Sequence, residues 1–268
     1  MTRIKFYESN AQIVKAFIVV ALCTSCGRLY GQRITENSDS ASDSTLVAIK
    51  YEPPPRPPKS GEPTGRAQGG AGRGCEPTAL MPVTKSSGRN FLWGLTVNER
   101  PQFWFSLPRK MTTKDAIEFV LKDSSGKEIY KTMLKNSEIP KGIISFAIPE
   151  KTQPLQIDQS YNWSFSVYCD FKTLEDKPGN VQGSIQRVST PENLKTQLAG
   201  AKTPVEQATI YAKNGIWFDA VTTLAINMRD KKSKDIVSAW NDLLKQVNLE
   251  KTASLSVTNC CTQLKTPN

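Results

Sequence analysis

No histidine occurs anywhere in the 268 residues. Without imidazole there is no Ser-His-Asp or Cys-His arrangement, no ordinary proton shuttle near neutral pH and no zinc or copper site that relies on His. All-Cys or carboxylate ligation remains open. A four-Cys site wants paired C-x-x-C spacing, however, and the one such pair is Cys23 and Cys26 near the start of the chain. Long apolar runs are missing as well: the stretch 16–23 holds 8 residues, against the roughly 20 that span a bilayer. Clustered charge is the third absence. The formal +10 divides as 4 basic and 1 acidic residues over 1–31, 6 and 6 over 32–76, 15 and 11 over 77–190, and 10 and 7 over 191–268. Mixed signs at close spacing describe a solvated surface, and a nucleic-acid footprint needs clustering. No cofactor and no metal is expected.

What is present begins with a compartment signal. Arg3, Lys5 and Lys15 precede the apolar run Ala16-Phe17-Ile18-Val19-Val20-Ala21-Leu22-Cys23, and small residues Ser25 and Gly27 flank Cys26. A basic segment, an apolar segment of about 7–15 residues and a small-x-small site form a secretory signal peptide. Residues 1–31 are therefore expected to direct export to the periplasm, the outer envelope or the medium. The alternative is a lipoprotein acylated at Cys26, although Cys23 stands where such signals want Leu or similar.

Export changes the reading of the cysteines, because an oxidising compartment favours bridges. Cys75 opens the folded part and Cys169 ends a strongly patterned strand, so a structural Cys75–Cys169 disulfide is expected. Cys260 and Cys261 sit in a polar tail and receive no role.

Residues 32–74 read as a disordered Pro/Gly-rich linker. Ser and Asp cluster at 37–44, Pro53-Pro54-Pro55-Arg56-Pro57-Pro58 favours polyproline II, and six glycines lie between Gly61 and Gly74. Over 75–190 short apolar runs separated by turn residues predict strands at 91–97, 102–107, 116–123, 127–133, 142–148, 161–169 and 181–188. Asp123-Ser124-Ser125-Gly126 supplies a hairpin turn. In the clearest strand Tyr161, Trp163, Phe165 and Val167 alternate with polar residues, which puts them on one face. Seven such strands predict an antiparallel β-sandwich of the immunoglobulin or fibronectin-like kind, with a corner formed by Leu155 and Tyr161.

After Pro191 the period becomes helical. Thr203-Pro204-Val205-Glu206 is a capping box with Pro in the first turn, and Asn214-Gly215 is a stop. A second helix aligns Trp217, Ala220, Val221, Leu224, Ala225 and Met228, and a third aligns Ile236, Trp240, Leu243, Leu244 and Val247. Residues 191–249 are thus expected to form a short tetratricopeptide-like helical hairpin docked on the sandwich, because one such unit does not stand alone. Residues 250–268 read as a loose tail.

The order of motifs resembles the cyanobacterial domain-of-unknown-function family 928. It is carried by Gly69-Gly70-Ala71-Gly72-Arg73-Gly74-Cys75, Leu80-Met81-Pro82, Gly94-Leu95-Thr96 and Glu99-Arg100-Pro101-Gln102-Phe103-Trp104-Phe105. Tyr161-Asn162-Trp163, Cys169-Asp170, Gln186-Arg187-Val188, the stretch from Tyr211 to Ala220, and Trp240 with Leu243-Leu244 continue it over roughly 66–249. The resemblance implies an exported or envelope-associated protein, and it transfers no catalytic residue.

Glu99 and Arg100 lie between two strands, where a charged pair can grip a ligand or simply cap a turn. Trp104 alternates out of phase with Phe103 and Phe105. It is either an exposed aromatic suited to sugar or protein binding, or part of a core covered on both faces. Asp219, near a helix N-terminus, complements the helix dipole. No pair of carboxylates stands out for glycosidase chemistry. The expected function is a non-enzymatic envelope interaction module that binds another envelope protein, with an anionic polysaccharide as a further possible partner. The alternative is a carbohydrate-binding or carbohydrate-cleaving envelope protein that uses carboxylates and Trp104.

Overall fold

Strands fall in all seven places that the two-residue alternation predicts, and two further short strands precede them. The computed structural model describes residues 48–55, 74–86, 89–172, 177–230, 232–258 and 260–261. The expected leader and most of the expected linker lie outside the described residues, as do Cys23 and Cys26.

The strands are β1 (Thr78–Ala79), β2 (Val83–Ser86), β3 (Arg89–Thr96), β4 (Gln102–Ser106), β5 (Ala116–Asp123), β6 (Glu128–Lys135), β7 (Ile143–Ala147), β8 (Ser160–Tyr168) and β9 (Gly179–Arg187). The helices are α1 (Glu192–Gly200), α2 (Pro204–Lys213), α3 (Trp217–Asp230), α4 (Lys234–Lys245) and α5 (Glu250–Ala253). One sheet has three strands in the order β1-β4-β7, and the other has six in the order β2-β3-β9-β8-β5-β6. The expectation of wholly antiparallel strands is corrected at one pair. β3 and β9 run parallel, Gly94 opposite Ile185 and Thr96 opposite Arg187, so the larger sheet is mixed. A parallel neighbour needs a long crossover, and everything from β4 to β8 lies between these two strands in the chain.

The inward face of β8 forms the centre of the core. Phe165 pairs in register with Phe119 of β5, and Trp163 with Leu121. Rings from the smaller sheet meet them: Phe105 stacks on Phe165 at 4.0 Å between centroids, Phe103 lies 4.9 Å from Phe119, and Phe146 lies 5.5 Å from Phe119. Each such ring contributes about 1.5–3 kcal/mol by leaving water. At the expected corner Leu155 is fully buried and the Tyr161 hydroxyl accepts the Gln156 N–H at 2.9 Å.

Two segments read as unstructured are packed. In the stretch 48–55, Ile49 and Tyr51 are buried, and the Tyr51 ring meets Trp217 edge-on at 4.8 Å. The Gln246 amide binds this strap on both sides, accepting from Tyr51 N at 2.9 Å and donating to Ile49 O at 2.8 Å, while Glu52 N donates to Ala212 O. The two apolar residues stand two apart, so an extended strap turns both inward. The tail also docks. Trp240 Nε1 donates to Ala253 O, and Val257 bridges Ile143 in parallel along the edge of β7. Ile143 N donates to Ser256 O and Thr258 N to Ile143 O, both at 2.8 Å. An edge strand offers backbone groups that need partners, and the polar tail supplies them.

Cys75 and Cys169 are joined, with Cα atoms 6.2 Å apart and a sequence separation of 94. The adjacent Cys260 and Cys261 are joined as well. Close to Cys169 lies Asp115, whose carboxylate accepts Arg109 Nη1 and Nη2, Thr112 N and Oγ1, and Asp170 N, all at 2.7–2.9 Å. Burial works against its ionisation, but these bonds prevail and hold it well below the usual carboxylate range.

Candidate functional site

The turn from β3 to β4 and the helices α2 and α3 enclose a polar recess with room for a small molecule. The walls are local consequences of sequence. Thr203 caps α2 by accepting Glu206 N while the Glu206 side chain returns to Thr203 N, the full capping box. Gly215, at φ +71°, then reverses the chain in a conformation that costs glycine little, so that α3 starts at Trp217 and packs along α2. The bare backbone at Gly94 lets α3 lie close on β3: a Cβ there would stand 3.2 Å from the Phe218 ring and 3.3 Å from Trp217 Cβ.

That close approach carries Asp219 to the end of β3. Its Oδ2 accepts Thr96 Oγ1 at 2.7 Å and Val97 N at 3.2 Å. The same Thr96 oxygen accepts Asn98 N, and Asn98 Oδ1 in turn accepts Arg100 N at 2.8 Å. The β3–β4 turn is therefore moulded around the helical carboxylate. Burial pushes the Asp219 carboxyl up to about 6, against the opposing bonds from Thr96 and Val97.

Between these elements is a cavity of about 230 Å³ lined by Thr96, Asn98, Arg100, Pro101, Gln102, Tyr211, Phe218, Asp219, Thr222, Thr223 and Ile226. Gln102 Oε1 is buried there without a hydrogen-bond partner. The Tyr211 hydroxyl is raised above its ordinary value, first by desolvation and then by the charge of Asp219. Such a site can hold a small polar ligand between a carboxylate and a cation. Among the described residues no group of three or more His, Cys, Asp and Glu is placed to hold a metal ion.

The sequence-predicted residues fare unevenly. Arg100 does line the cavity; its Nη1 donates to Pro149 O and Thr152 O, at 2.6 and 2.8 Å, anchoring the 149–152 loop. Glu99 is not in the lining and stands 3.9 Å from Arg187 Nη2. Trp104 is no exposed aromatic: only 4% of it is accessible, and its Nε1 donates to Thr222 Oγ1 from beneath the cavity. The covering layer is α3, so the second face of β4 is core. From sequence Asp219 reads only as a complement to the helix dipole, and Gln102 and Tyr211 have no site role there. The one signal was an acid set inside the otherwise buried run from Trp217 to Val221. Exposed large apolar side chains among the described residues are Val83 and Ile157, so no broad apolar patch presents itself there.

Fold and site together define a mixed α/β domain, mostly sheet, with a preformed polar recess where sheet and helices meet. The chain belongs to the family described as Domain of Unknown Function (DUF928), whose model matches residues 65–257. No curated protein matches it. Among solved structures it is similar to the β-glucuronidase of Parabacteroides merdae, determined alone and with glycerol in its active site. Both alignments show 16% identity and cover 42% of this chain and 14% of the enzyme, with TM-scores of 0.25 and 0.24. The chain thus spans about a seventh of that enzyme's length, and TM-scores this low do not establish a shared fold.

Among the described residues no helix is long and apolar enough to cross a membrane.

Proposed function

We propose that this protein is an exported, non-enzymatic interaction module of the cell envelope, with the cavity between the β3–β4 turn and α2–α3 as its binding surface. Residues 1–31 act as its signal peptide, in the cyanobacterial setting that the family resemblance implies. The β-sandwich reading belongs to the same proposal, the smaller sheet being the layer that faces β5 and β8. The partner is another envelope protein, one segment of which enters the recess; an acidic polysaccharide is the less specific partner of a chain with a net +10.

The single observation that carries this reading is the commitment of the cavity's charged groups to the fold. Asp219 spends one oxygen on Thr96 and Val97, and Arg100 spends Nη1 on two loop carbonyls. Groups locked in this way present a rigid surface to a ligand at little entropic cost. Glycoside cleavage, the alternative, calls for two carboxyl groups about 5–10 Å apart across the bond, and the lining contains Asp219 as its one carboxylate.

The test is capture from envelope extracts with the full chain, comparing wild type with Ile226→Trp, which fills the cavity, and Asn98→Trp, which plugs its exposed rim. A partner recovered by wild type and lost from whichever variants keep the wild-type melting temperature supports the module. Equal recovery by wild type and plugged variants overturns it, and so does the release of reducing sugar from envelope glycan by the purified protein.

A further inference from the structure

Two acceptors among the residues that line the cavity are under-satisfied. Gln102 Oε1 is buried with no partner, and the two bonds that Asp219 takes from other residues both fall on Oδ2, so neither fills Oδ1. An orphaned buried carbonyl destabilises the fold unless a donor reaches it, so a ligand that supplies one can fill the deficit. The aromatic rings of Tyr211 and Phe218 also line the cavity, and aromatic faces attract cations. Arg100, also in the lining, makes no ion pair among the described residues, and its bonds to Pro149 and Thr152 fall on Nη1 alone.

From this arrangement we infer that the cavity binds a primary ammonium group between Asp219 and Gln102, carried on a short chain whose carboxylate lies against Arg100. The ligand class is therefore an amino acid or the end of a short peptide, in which one molecule bears both charges. An ammonium has three donors, which suits two acceptor oxygens and an aromatic face; a neutral hydroxyl offers one and leaves an oxygen unfilled. The apolar wall of Pro101 and Ile226 accommodates the methylenes between the charges. This inference rests on the cavity being the binding surface, and it adds what enters.

A linked property follows from the acid. Asp219 binds an ammonium as carboxylate, so a ligand must expel the proton that Asp219 holds below about pH 6. The titratable and charged groups facing it are Tyr211 on α2 and Arg100 on the turn; β3 and β4 contribute Thr96 and Gln102, which do not titrate. The Tyr211 hydroxyl is held above its ordinary value and keeps its proton throughout this range.

The experiment is calorimetry on the full-length protein with glycine, β-alanine, 4-aminobutyrate, 6-aminohexanoate and triglycine, each alongside its N-acetyl derivative, plus butylamine and N-acetylglucosamine. At least one of the amines is expected to bind below millimolar dissociation constants, at least tenfold tighter than its N-acetyl form. Its affinity is expected to fall up to tenfold per pH unit below pH 6, with proton release on binding. The chain length that binds best reports the distance between the two charge sites, and triglycine against the free amino acids separates a peptide end from a metabolite. Asp219→Asn keeps an acceptor for Thr96 and Val97 and so preserves the turn, but it is expected to weaken binding at least tenfold and abolish the pH dependence. Arg100→Gln is expected to weaken 4-aminobutyrate while leaving butylamine unchanged. Where Arg100→Gln lowers the melting temperature, Gln102→Leu replaces it, with a loss for both amines.

Millimolar or weaker binding for every amine overturns the inference, as does equal binding of the N-acetyl forms or Asp219-dependent binding of N-acetylglucosamine. If amines fail while a partner is still captured in a plug-sensitive manner, this inference falls and the module stands. Amine binding with no captured partner sinks the module and leaves a small-molecule pocket.

Discussion

Two aspartates, Asp115 and Asp219, show how one residue type serves opposite ends in the same molecule. Asp115 has its side chain 2% exposed and receives five hydrogen bonds, two of them from Arg109, that fill both carboxylate oxygens. It stays ionised and ties the 109–115 loop to Asp170, next to a cysteine already bridged to Cys75. Asp219 receives two bonds from other residues, both on one oxygen, and lines a cavity without an ion pair among the described residues. Burial without full compensation pushes its carboxyl up. A satisfied buried charge fixes structure, while a partly satisfied one is available to a ligand.

The sharpest way to break the comparison is at the knot. Cys75→Ser opens a loop with a sequence separation of 94 residues, and the chain-entropy model puts the expected loss at about 4–5 kcal/mol. Denaturant unfolding without reductant measures it, and an unchanged midpoint refutes the structural role of the bridge. Next comes Asp115→Ala, which leaves Arg109 without its carboxylate and the Thr112 and Asp170 N–H groups unpaired. The expected loss is about 3 kcal/mol.

The pH dependence carries the sign of each group. The Asp115 carboxyl is depressed in the folded state, so its contribution is present above the unfolded value of about 3.9 and is lost as pH falls below it. The Asp219 carboxyl is raised to about 6, so the folded state holds the extra proton and stability declines as pH rises from about 4 to 6, then levels off. Asp219→Asn is the smallest effect of the three and opposite in sign. It is expected to stabilise the protein by about 1–2 kcal/mol above pH 6, a shift of two pH units reduced by the water of the open cavity. Thermal melts of wild type and variant between pH 4 and 8 measure it; parallel curves refute the assignment.

The sequence revealed local order well. Strand β5 occupies the predicted 116–123, α2 starts at the capping box, and the expected Cys75–Cys169 bridge forms. Period, turn residues and caps act over a few neighbours and are visible in one dimension. The strap at Ile49 and Tyr51 was missed because two apolar residues in a polar stretch make no period, and their partners Trp217 and Gln246 lie more than 160 positions on. Trp104 illustrates the same limit. Alternation marks it as facing away from Phe103 and Phe105, but whether that side meets water depends on a helix over 100 residues later. The candidate site was legible only through Arg100.

Taken alone, the missing histidines, the strand and helix periods and the placement of Cys75 and Cys169 bounded an architecture and a family resemblance, and the short apolar run near the start raised only the expectation of a compartment. These are properties of composition and of near neighbours. The parallel pairing of β3 with β9, the docking of the tail on β7 and the cavity around Asp219 belong to the tertiary structure. Each depends on which distant backbone or side chain removes water from a given group. The pKa of a carboxylate, the exposure of an indole and the partner of an edge strand are set by that solvent exclusion, which arises only when the chain has closed upon itself.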